Sequence, residues 1–133
     1  ILDGFPRTIP QAQGLKNLLE HLNQQIDNVL VMDVPDELII TRLSNRRSCA
    51  GCDQIYNLLF DPPADRSKCD QCKSELFLRK DDRPSIIEQR LAVYHKSTAP
   101  LIQYYNKQGN VLTIDSKGTI DEIRLEILRQ LKT

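Results

Sequence analysis

The sequence predicts an α/β fold, in which a parallel sheet is covered by helices and one small segment is inserted. Two short apolar runs, NVLVMDV at 28–34 and NVLTID at 110–115, are typical of strands buried on both faces of a parallel sheet. Stretches with helical periodicity alternate with these strands, whereas residues 48–78 follow neither period. At 133 residues the chain is the size of one domain.

The first helix is predicted directly after the opening loop, ILDGFPRT. Thr8 and Gln11 match the T-x-x-Q pattern of a helix start, and Pro10 lies in the first turn. Leucines then recur at helical spacing through Leu22, so we expect the helix to end near His21.

A second helix is predicted after the strand at 28–34. Pro35 precedes Asp36 and Glu37, which place negative charge in the first turn, and Arg46 and Arg47 follow at the basic end. The inserted segment is therefore expected to begin where this helix ends.

Two further helical regions complete the pattern. Periodicity resumes after Pro84 and continues to about Gly109, and Pro100 is expected to kink this helix or divide it in two. Thr119 and Glu122 have the spacing of a capping box, so the last helix is expected to begin there.

Composition narrows the range of partners. The formal net charge is zero, so the overall balance does not indicate a nucleic-acid or anionic membrane partner. No apolar run is long enough to cross a bilayer, and no secretion-signal pattern opens the sequence. We therefore expect a cytoplasmic protein that binds neither nucleic acid nor membrane.

Four cysteines carry the strongest chemical signal. Two C-x2-C pairs are separated by sixteen residues, a spacing with which two tight turns place four thiolates around one zinc ion: Cys49, Cys52, Cys69 and Cys72. Four sulfur ligands complete the tetrahedron, so the zinc would be structural. Two disulfides, reduced structural thiols or a redox C-x-x-C pair are the alternatives, and a reducing compartment disfavours disulfides.

Five arginines stand at loop or helix boundaries, from which they can turn toward one cleft: Arg7, Arg42, Arg46, Arg79 and Arg90. Guanidinium groups match the geometry of phosphate and stay charged, which suits stabilisation of a transferring phosphoryl group. The alternative for each arginine is a solvated surface charge or a partner of a helical carboxylate.

Several motifs, in the same order along the chain, resemble those of the adenylate kinase family. The opening ILDGFPRTIPQ is similar to the family signature, and DELIITRLSNRR resembles the helix that leads into the mobile lid. The cysteine segment resembles the zinc-bearing lid of some bacterial members. The stretches LRKDDRPSIIEQRL and YHKSTAPLIQYY resemble the exit from the lid and the helix after it.

The resemblance covers essentially the whole chain and implies a core of the P-loop kinase type with an inserted lid. It divides the chain into three segments. Residues 1–47 would form core with the AMP-side loop and helices, 48–78 the zinc-binding lid, and 79–133 core with the C-terminal helices and the last strand.

The resemblance implies reversible transfer of the terminal phosphoryl group of ATP to AMP, giving two ADP, with magnesium bound to the ATP. Asp3 matches a carboxylate that orders the magnesium hydration shell. The residues implied in AMP binding are Gly4, Phe5, Pro6, Arg7, Gln11, Arg79 and Arg90. Gln11 has an alternative role as the capping partner of Thr8. As is common in the family, the full-length protein is expected to be a monomer.

On the ATP side, the resemblance implies that Arg42 stacks on the adenine, that Arg46 contacts phosphate and that the backbone of Gly118 contacts the base. The implied ATP-binding residues are Arg42, Arg46, Ile55, Tyr56 and Gly118. Arg46, Arg79 and Arg90 are the expected catalytic residues, because phosphoryl transfer depends on positioning and charge neutralisation more than on a general base.

Two carboxylates follow Arg79 at the stretch where the lid of the family hinges. These are Asp81 and Asp82, and pairing with the neighbouring Lys80 and Arg83 is the alternative role.

The G-x-x-x-x-G-K loop with which the family binds ATP phosphates is not in the sequence. The family carries that loop ahead of the stretch that matches Ile1. We therefore expect the chain to be the C-terminal portion of a longer protein, with an incomplete core, and to be inactive by itself. Apolar edges at 1–3 and 29–34 would be exposed, and the isolated chain is expected to associate through them. The alternative function is a non-catalytic, zinc-binding module that binds nucleotide or another protein.

Overall fold

The computed structural model describes residues 1–132 and confirms the α/β class. Thr133, the last residue of the third predicted segment, lies outside the described residues. The helices are α1 (Ile9–His21), α2 (Asp36–Ser44), α3 (Pro84–Val93), α4 (Pro100–Asn106) and α5 (Ile120–Leu131). The strands are β1 (Val29–Asp33), β2 (Arg46–Cys49), β3 (Ile55–Asn57), β4 (Leu76–Phe77) and β5 (Val111–Asp115).

The chain divides into two compact units. One, here called the sheet unit, contains Ile1–Val34 and Ala92–Thr133. The other, the cysteine unit, contains Pro35–Leu91. Each unit is described by itself.

The sheet unit is built on β1 and β5, which pair in parallel as predicted. The register places Val29 opposite Val111 and Asp33 opposite Asp115. Ile114 on β5 is fully buried, in agreement with a strand that is covered on its faces.

Helices α1 and α4 supply the core of the sheet unit. Ala12 packs with Leu101 and Tyr105, and partly buried side chains such as Ile26 and Val29 surround them. Ala12 leaves room for the aromatic ring, which explains why a small residue lies on the apolar face of α1.

Apolar side chains on β1 and at residues 1–2 are exposed, as the sequence predicted. Leu30 and Met32 on this strand are 39% and 46% exposed, and Ile1 and Leu2 are exposed as well. Association through this edge remains a prediction.

The start of α1 agrees with the predicted cap, with one difference. The N–H of Gln11 donates to Thr8 Oγ1 at 3.4 Å, as expected for the helix cap. The Gln11 side chain accepts from the N–H of Arg7 at 2.8 Å, one residue earlier than in a capping box. Gln11 therefore orders the loop that precedes the helix.

The long predicted helix is divided, and the division begins before Pro100. After α3 the chain forms a π-helical turn at Tyr94–Thr98, in which the N–H of Ala99 donates to the carbonyl of Tyr94 at 2.9 Å. Proline has no N–H, and its ring crowds the carbonyl four residues earlier. A π-helical turn at this point is compatible with the proline, and α4 then begins at Pro100.

The cysteine unit contains a sheet that the sequence did not predict. Its three strands are antiparallel in the order β3-β2-β4. They contain two to four residues each, which is too short to show an alternating pattern.

No helix among residues 1–132 has the length and apolar character needed to cross a membrane.

Removing the cap of α5 tests the local stability of the sheet unit. Thr119 and Glu122 form a complete capping box, in which the N–H of Glu122 donates to Thr119 Oγ1 and the Glu122 carboxylate accepts from the N–H of Thr119 at 2.7 Å. Thr119→Ala should lower the stability of α5 by about 1 kcal/mol. Hydrogen exchange of the first-turn amides should become faster, whereas Arg124→Ala on the exposed side of α5 should leave it unchanged. Equal exchange in both variants would show that the cap does not stabilise the helix.

Candidate functional site

The four cysteines converge, as their spacing predicted. Their sulfur atoms all lie within 4.8 Å of one another, and all four cysteines are free thiols. Cys49 Sγ lies 3.3 Å from Cys72 Sγ, and Cys52 Sγ lies 3.6 Å from Cys69 Sγ. Each close pair therefore takes one sulfur from each C-x2-C turn.

Both C-x2-C turns have the same backbone form. The residue after the second cysteine of each turn has a left-handed backbone conformation, with φ of 58° at Asp53 and 61° at Lys73. Gly51 is required in the first turn, because an added Cβ would lie 3.1 Å from Cys72 Sγ and would collide with the Ser74 hydroxyl. The backbone of the two turns thus helps to bring the sulfurs together.

The thiols of the second turn are strongly perturbed. The Tyr56 hydroxyl and the backbone N–H of Cys72 lower the pKa of Cys69 to about 6. The hydroxyl and backbone N–H of Ser74 lower the pKa of Cys72. Hydrogen-bond donors that favour the charged form are the cause in both cases.

Cys52 behaves in the opposite way. The backbone N–H of Gln54 lowers its pKa, but the thiols of Cys72, Cys69 and Cys49, together with burial, outweigh that effect and raise the pKa to about 12. Four sulfurs at these distances cannot all be thiolates without a cation among them, because like charges repel.

The donor set fits a tetrahedral metal ion. In a zinc–thiolate tetrahedron with Zn–S bonds of about 2.3 Å, the sulfurs are roughly 3.8 Å apart. The separations here, 3.3 Å and 3.6 Å for the two close pairs and at most 4.8 Å for the others, need only small adjustments to reach that value. The cluster is therefore compatible with zinc.

A buried carboxylate organises the arginines of the cysteine unit. Asp82 is fully buried and accepts from Arg46 Nε at 2.9 Å and from Arg46 Nη2 through its second oxygen. Arg79 Nε donates to the same carboxylate at 3.0 Å. The side chains of Arg46 and Arg79 remain 26% and 41% exposed, so both guanidinium groups reach solvent.

The ion-pair partners of Asp82 differ from those that the sequence analysis gave as an alternative. That alternative paired it with Lys80 or Arg83, whereas the structure pairs it with Arg46, thirty-six residues away, and with Arg79. Burial by itself raises the pKa of Asp82, but the hydrogen bonds and charges of the two arginines outweigh it, and the pKa lies below its ordinary value. The carboxylate is therefore ionised at neutral pH.

Arg90 is held more loosely. Its Nη1 donates to the carbonyl of Asp81 at 3.4 Å, and its side chain is exposed. A long bond to a neutral carbonyl leaves the guanidinium able to move toward an anion.

Arg42 lies against an aromatic ring that the sequence did not connect with it. Its Cζ is 6.0 Å from the centroid of the Phe60 ring, at the outer limit of a cation–π contact. Asn57 holds the two segments together, because its side chain donates to the carbonyl of Arg42 and accepts from the N–H of Phe60. The sequence analysis missed the role of Asn57, because one of its partners precedes it by fifteen residues and the other follows it by three.

Ile55 and Tyr56 are adjacent on β3 and point to opposite sides. Ile55 is 50% exposed, whereas Tyr56 is buried against Cys49 and Cys69. The Tyr56 side chain is thus committed to the cysteine cluster, and any contact with a nucleotide would use its backbone.

Five of the residues predicted to bind AMP lie in the sheet unit: Gly4, Phe5, Pro6 and Arg7 on the loop before α1, and Gln11 in α1. Gly4 has a left-handed φ of 68°, which turns the chain. The Thr98 hydroxyl donates to the carbonyl of Arg7 at 3.0 Å, and the N–H of Arg7 donates to Gln11. The backbone of Arg7 is therefore fixed, while its side chain is exposed, as are those of Asp3 and Phe5.

Gly118 precedes the cap of α5. An added Cβ there would lie 2.7 Å from the Glu122 carboxylate, which is held by Thr119. Glycine therefore lets the backbone approach the capping box closely, and this structural role is independent of any contact with a base.

The structure brings some of the predicted site residues together within each unit. In the cysteine unit, Asp82 joins Arg46 and Arg79, and the four cysteines form one cluster. The pairing of Asp82 with Arg46 and Arg79 was not predicted from the sequence. The signal that the sequence offers is a carboxylate among basic residues, and Asp82 is buried although its neighbours Lys80, Asp81 and Arg83 are exposed.

The family model and the similar proteins that match this chain all carry the same name. A family model described as "Adenylate kinase" matches residues 1–110. A protein of Agathobacter rectalis named "Adenylate kinase" is 45% identical over 92% of this chain and 58% of its own length. Proteins of the same name from Methanothrix thermoacetophila and Kosmotoga olearia are 48% and 41% identical, over 98% and 99% of this chain. The chain spans about three fifths of the length of these curated relatives.

Replacement of Asp82 tests the arginine pair. Asp82→Asn should lower the free energy of unfolding by about 2 kcal/mol near neutral pH, which is less than for a fully buried ion pair because the arginines are partly exposed. The folded-state pKa of Asp82 lies below the unfolded value of about 3.9, so its contribution is present above that pH and is lost as the pH falls through the folded-state pKa. Urea unfolding at several pH values measures this.

The matched control is Asp81→Asn, an exposed carboxylate beside Asp82. It should leave stability and its pH dependence unchanged. If both substitutions behave alike, the ion pair does not stabilise the cysteine unit.

Proposed function

The chain belongs to the adenylate kinase family, and we propose that its residues serve the reversible transfer of the terminal phosphoryl group of ATP to AMP, giving two ADP. The observation that supports this most directly is the buried Asp82 carboxylate, which holds Arg46 and Arg79 side by side. Two oriented guanidinium groups with access to solvent are suited to bind and neutralise phosphate oxygens.

Arg46 and Arg79 would act by positioning and by charge. A guanidinium carries five N–H donors. Arg46 uses Nε and Nη2 on Asp82, and Arg79 uses Nε, so each retains further donors for phosphate. Arg90, which donates a long hydrogen bond to the Asp81 carbonyl, would move onto the phosphates when the nucleotides bind.

The loop before α1 would bind AMP. The fixed backbone of Arg7 presents an exposed guanidinium to the AMP phosphate. Gln11 Oε1 already accepts from the N–H of Arg7, so a contact between Gln11 and adenine would use its amide nitrogen. Gly4, Phe5 and Pro6 would shape the rest of this loop.

The ATP side is proposed to use Arg42, Ile55, the Tyr56 backbone and Gly118 around the base, with residues 48–78 as the lid. Magnesium bound to ATP would supply charge neutralisation at the phosphates. The exposed carboxylate of Asp3 is a hard oxygen donor that fits such an ion through water.

We further propose that Cys49, Cys52, Cys69 and Cys72 hold one structural zinc ion. The geometry of four free sulfurs and the lowered pKa values of Cys69 and Cys72 support this. Zinc would stabilise a segment that has only short strands and a small core.

The cytoplasm is the proposed location. The alternative function, a zinc-binding module that binds nucleotide without transferring phosphate, is separated from the kinase by turnover. Calorimetric binding of ATP or AMP without ADP formation would favour the alternative.

Replacement of Arg90 tests catalysis without disturbing the fold. In the protein expressed from its complete reading frame, Arg90→Ala should lower kcat for ADP formation by roughly 10³-fold, because a charge-stabilising arginine is lost. Arg90 is preferred to Arg46 for this test, because removing Arg46 would leave the buried Asp82 without a main partner. A coupled assay with ATP and AMP measures the rate.

Arg124→Ala, an exposed arginine on α5, is the control and should retain full activity. Unchanged kcat in Arg90→Ala would contradict the proposed role. The prediction that residues 1–133 are inactive by themselves is checked in the same assay.

Removal of zinc should unfold the cysteine segment. The purified protein is expected to contain one zinc ion per chain, measured by elemental mass spectrometry, and chelation should abolish protection from hydrogen exchange in β2, β3 and β4. Cys72→Ser should lower zinc content in the same way. Gln71→Ala, in the same turn, should leave the zinc content unchanged. Equal zinc content in the unsubstituted protein and in both variants would contradict the proposed zinc site.

A further inference from the structure

We infer that Tyr56 is a positioning residue of the metal centre, whose hydroxyl donates a hydrogen bond to Cys69 Sγ and thereby strengthens metal binding. The inference rests on the proposed zinc site and adds to it a residue from outside the two C-x2-C turns. Its basis is the geometry around the Tyr56 oxygen.

The Tyr56 hydroxyl lies between two groups of the second turn. Its oxygen is 3.4 Å from Cys69 Sγ and accepts from the N–H of Asp70 at 3.0 Å. The ring is only 7% exposed and packs with Cys49, Cys69 and Leu76. The hydroxyl is therefore held in place by both packing and a backbone hydrogen bond.

The direction of the hydrogen bond follows from the chemistry of the two partners. A cysteine that binds a metal does so as a thiolate, which has no proton to donate. The Tyr56 oxygen already accepts from the N–H of Asp70, so its own proton is the one directed toward sulfur. Tyr56 is the donor, and Cys69 is the acceptor.

Cys69 depends on hydrogen-bond donors from the protein more than the exposed cysteines do. It is fully buried, whereas Cys52 and Cys72 are exposed and can be hydrogen-bonded by water. The other buried ligand, Cys49, accepts from the N–H of Gly51 at 3.2 Å, within its own turn. The Tyr56 donor does not belong to the turn of the cysteine that it contacts. It lies on β3, which follows the first C-x2-C turn, and it contacts Cys69 in the second turn.

Tyr56 therefore links the two halves of the metal site. The N–H groups of Gln71 and Cys72 that favour the Cys69 thiolate belong to the second turn itself. A donor on β3 fixes that turn against the sheet and orients the sulfur toward the other three. Outer partners of this kind commonly change metal affinity by about 10- to 100-fold.

The test is Tyr56→Phe in the protein expressed from its complete reading frame, which keeps the ring and removes the hydroxyl. Zinc affinity, measured by competition with a chromophoric chelator, should fall by about 10- to 100-fold. In the cobalt-substituted protein, the sulfur-to-cobalt charge-transfer band should move to lower energy, because a sulfur that loses a hydrogen bond releases its electrons more readily.

Two further variants separate this role from packing. Leu76→Ala loosens the same core and should weaken zinc binding without moving the band, whereas Tyr104→Phe removes a hydroxyl from the sheet unit and should change neither measurement. Unchanged affinity in Tyr56→Phe, or weaker binding with no shift of the band, would overturn the inference. If the unsubstituted protein binds neither zinc nor cobalt, the proposed metal site itself fails.

Discussion

The buried carboxylate of Asp82 is the constraint on which the cysteine unit depends. Arg46 begins β2, where the chain enters the cysteine segment, and Arg79 follows β4, where the chain leaves it. By binding both, Asp82 closes a loop of more than thirty residues at its base. Closure at that point holds the entry and exit strands together, so the antiparallel sheet between them has fixed ends.

The cysteine cluster provides a second closure farther along the same segment. Its core contains Cys49, Tyr56, Cys69 and Leu76, which is too little apolar surface to order thirty residues by the hydrophobic effect alone. A metal ion held by these four thiolates, as proposed, would replace that missing core. The ion pair and the proposed metal site would therefore have separate roles, because the ion pair sets where the segment attaches and the metal site would set its internal fold.

Local sequence patterns predicted much of this structure, but they did not predict the long-range pairings. The caps at Thr8 and Thr119, the parallel strands and the four convergent cysteines each have a signal within a few residues or a standard spacing. The pairing of Asp82 with Arg46 has no such signal, because the two residues are thirty-six positions apart and no local pattern tells which arginine a carboxylate will meet after folding. The short strands β2 to β4 were missed for a related reason, since two to four residues show no period.

An ion pair between a carboxylate and two arginines also bears on the proposed chemistry. Two guanidinium groups held close together repel each other, and one carboxylate between them lets both keep a fixed orientation before any phosphate arrives. Asp82 is fully buried, whereas both arginines reach solvent, so an incoming phosphate would meet the guanidinium groups first. The carboxylate lowers the net positive charge, which weakens attraction at long range. In the proposed phosphoryl transfer, the fixed orientation would compensate for that loss, because groups that are already in place need less reorganisation when the phosphoryl group transfers.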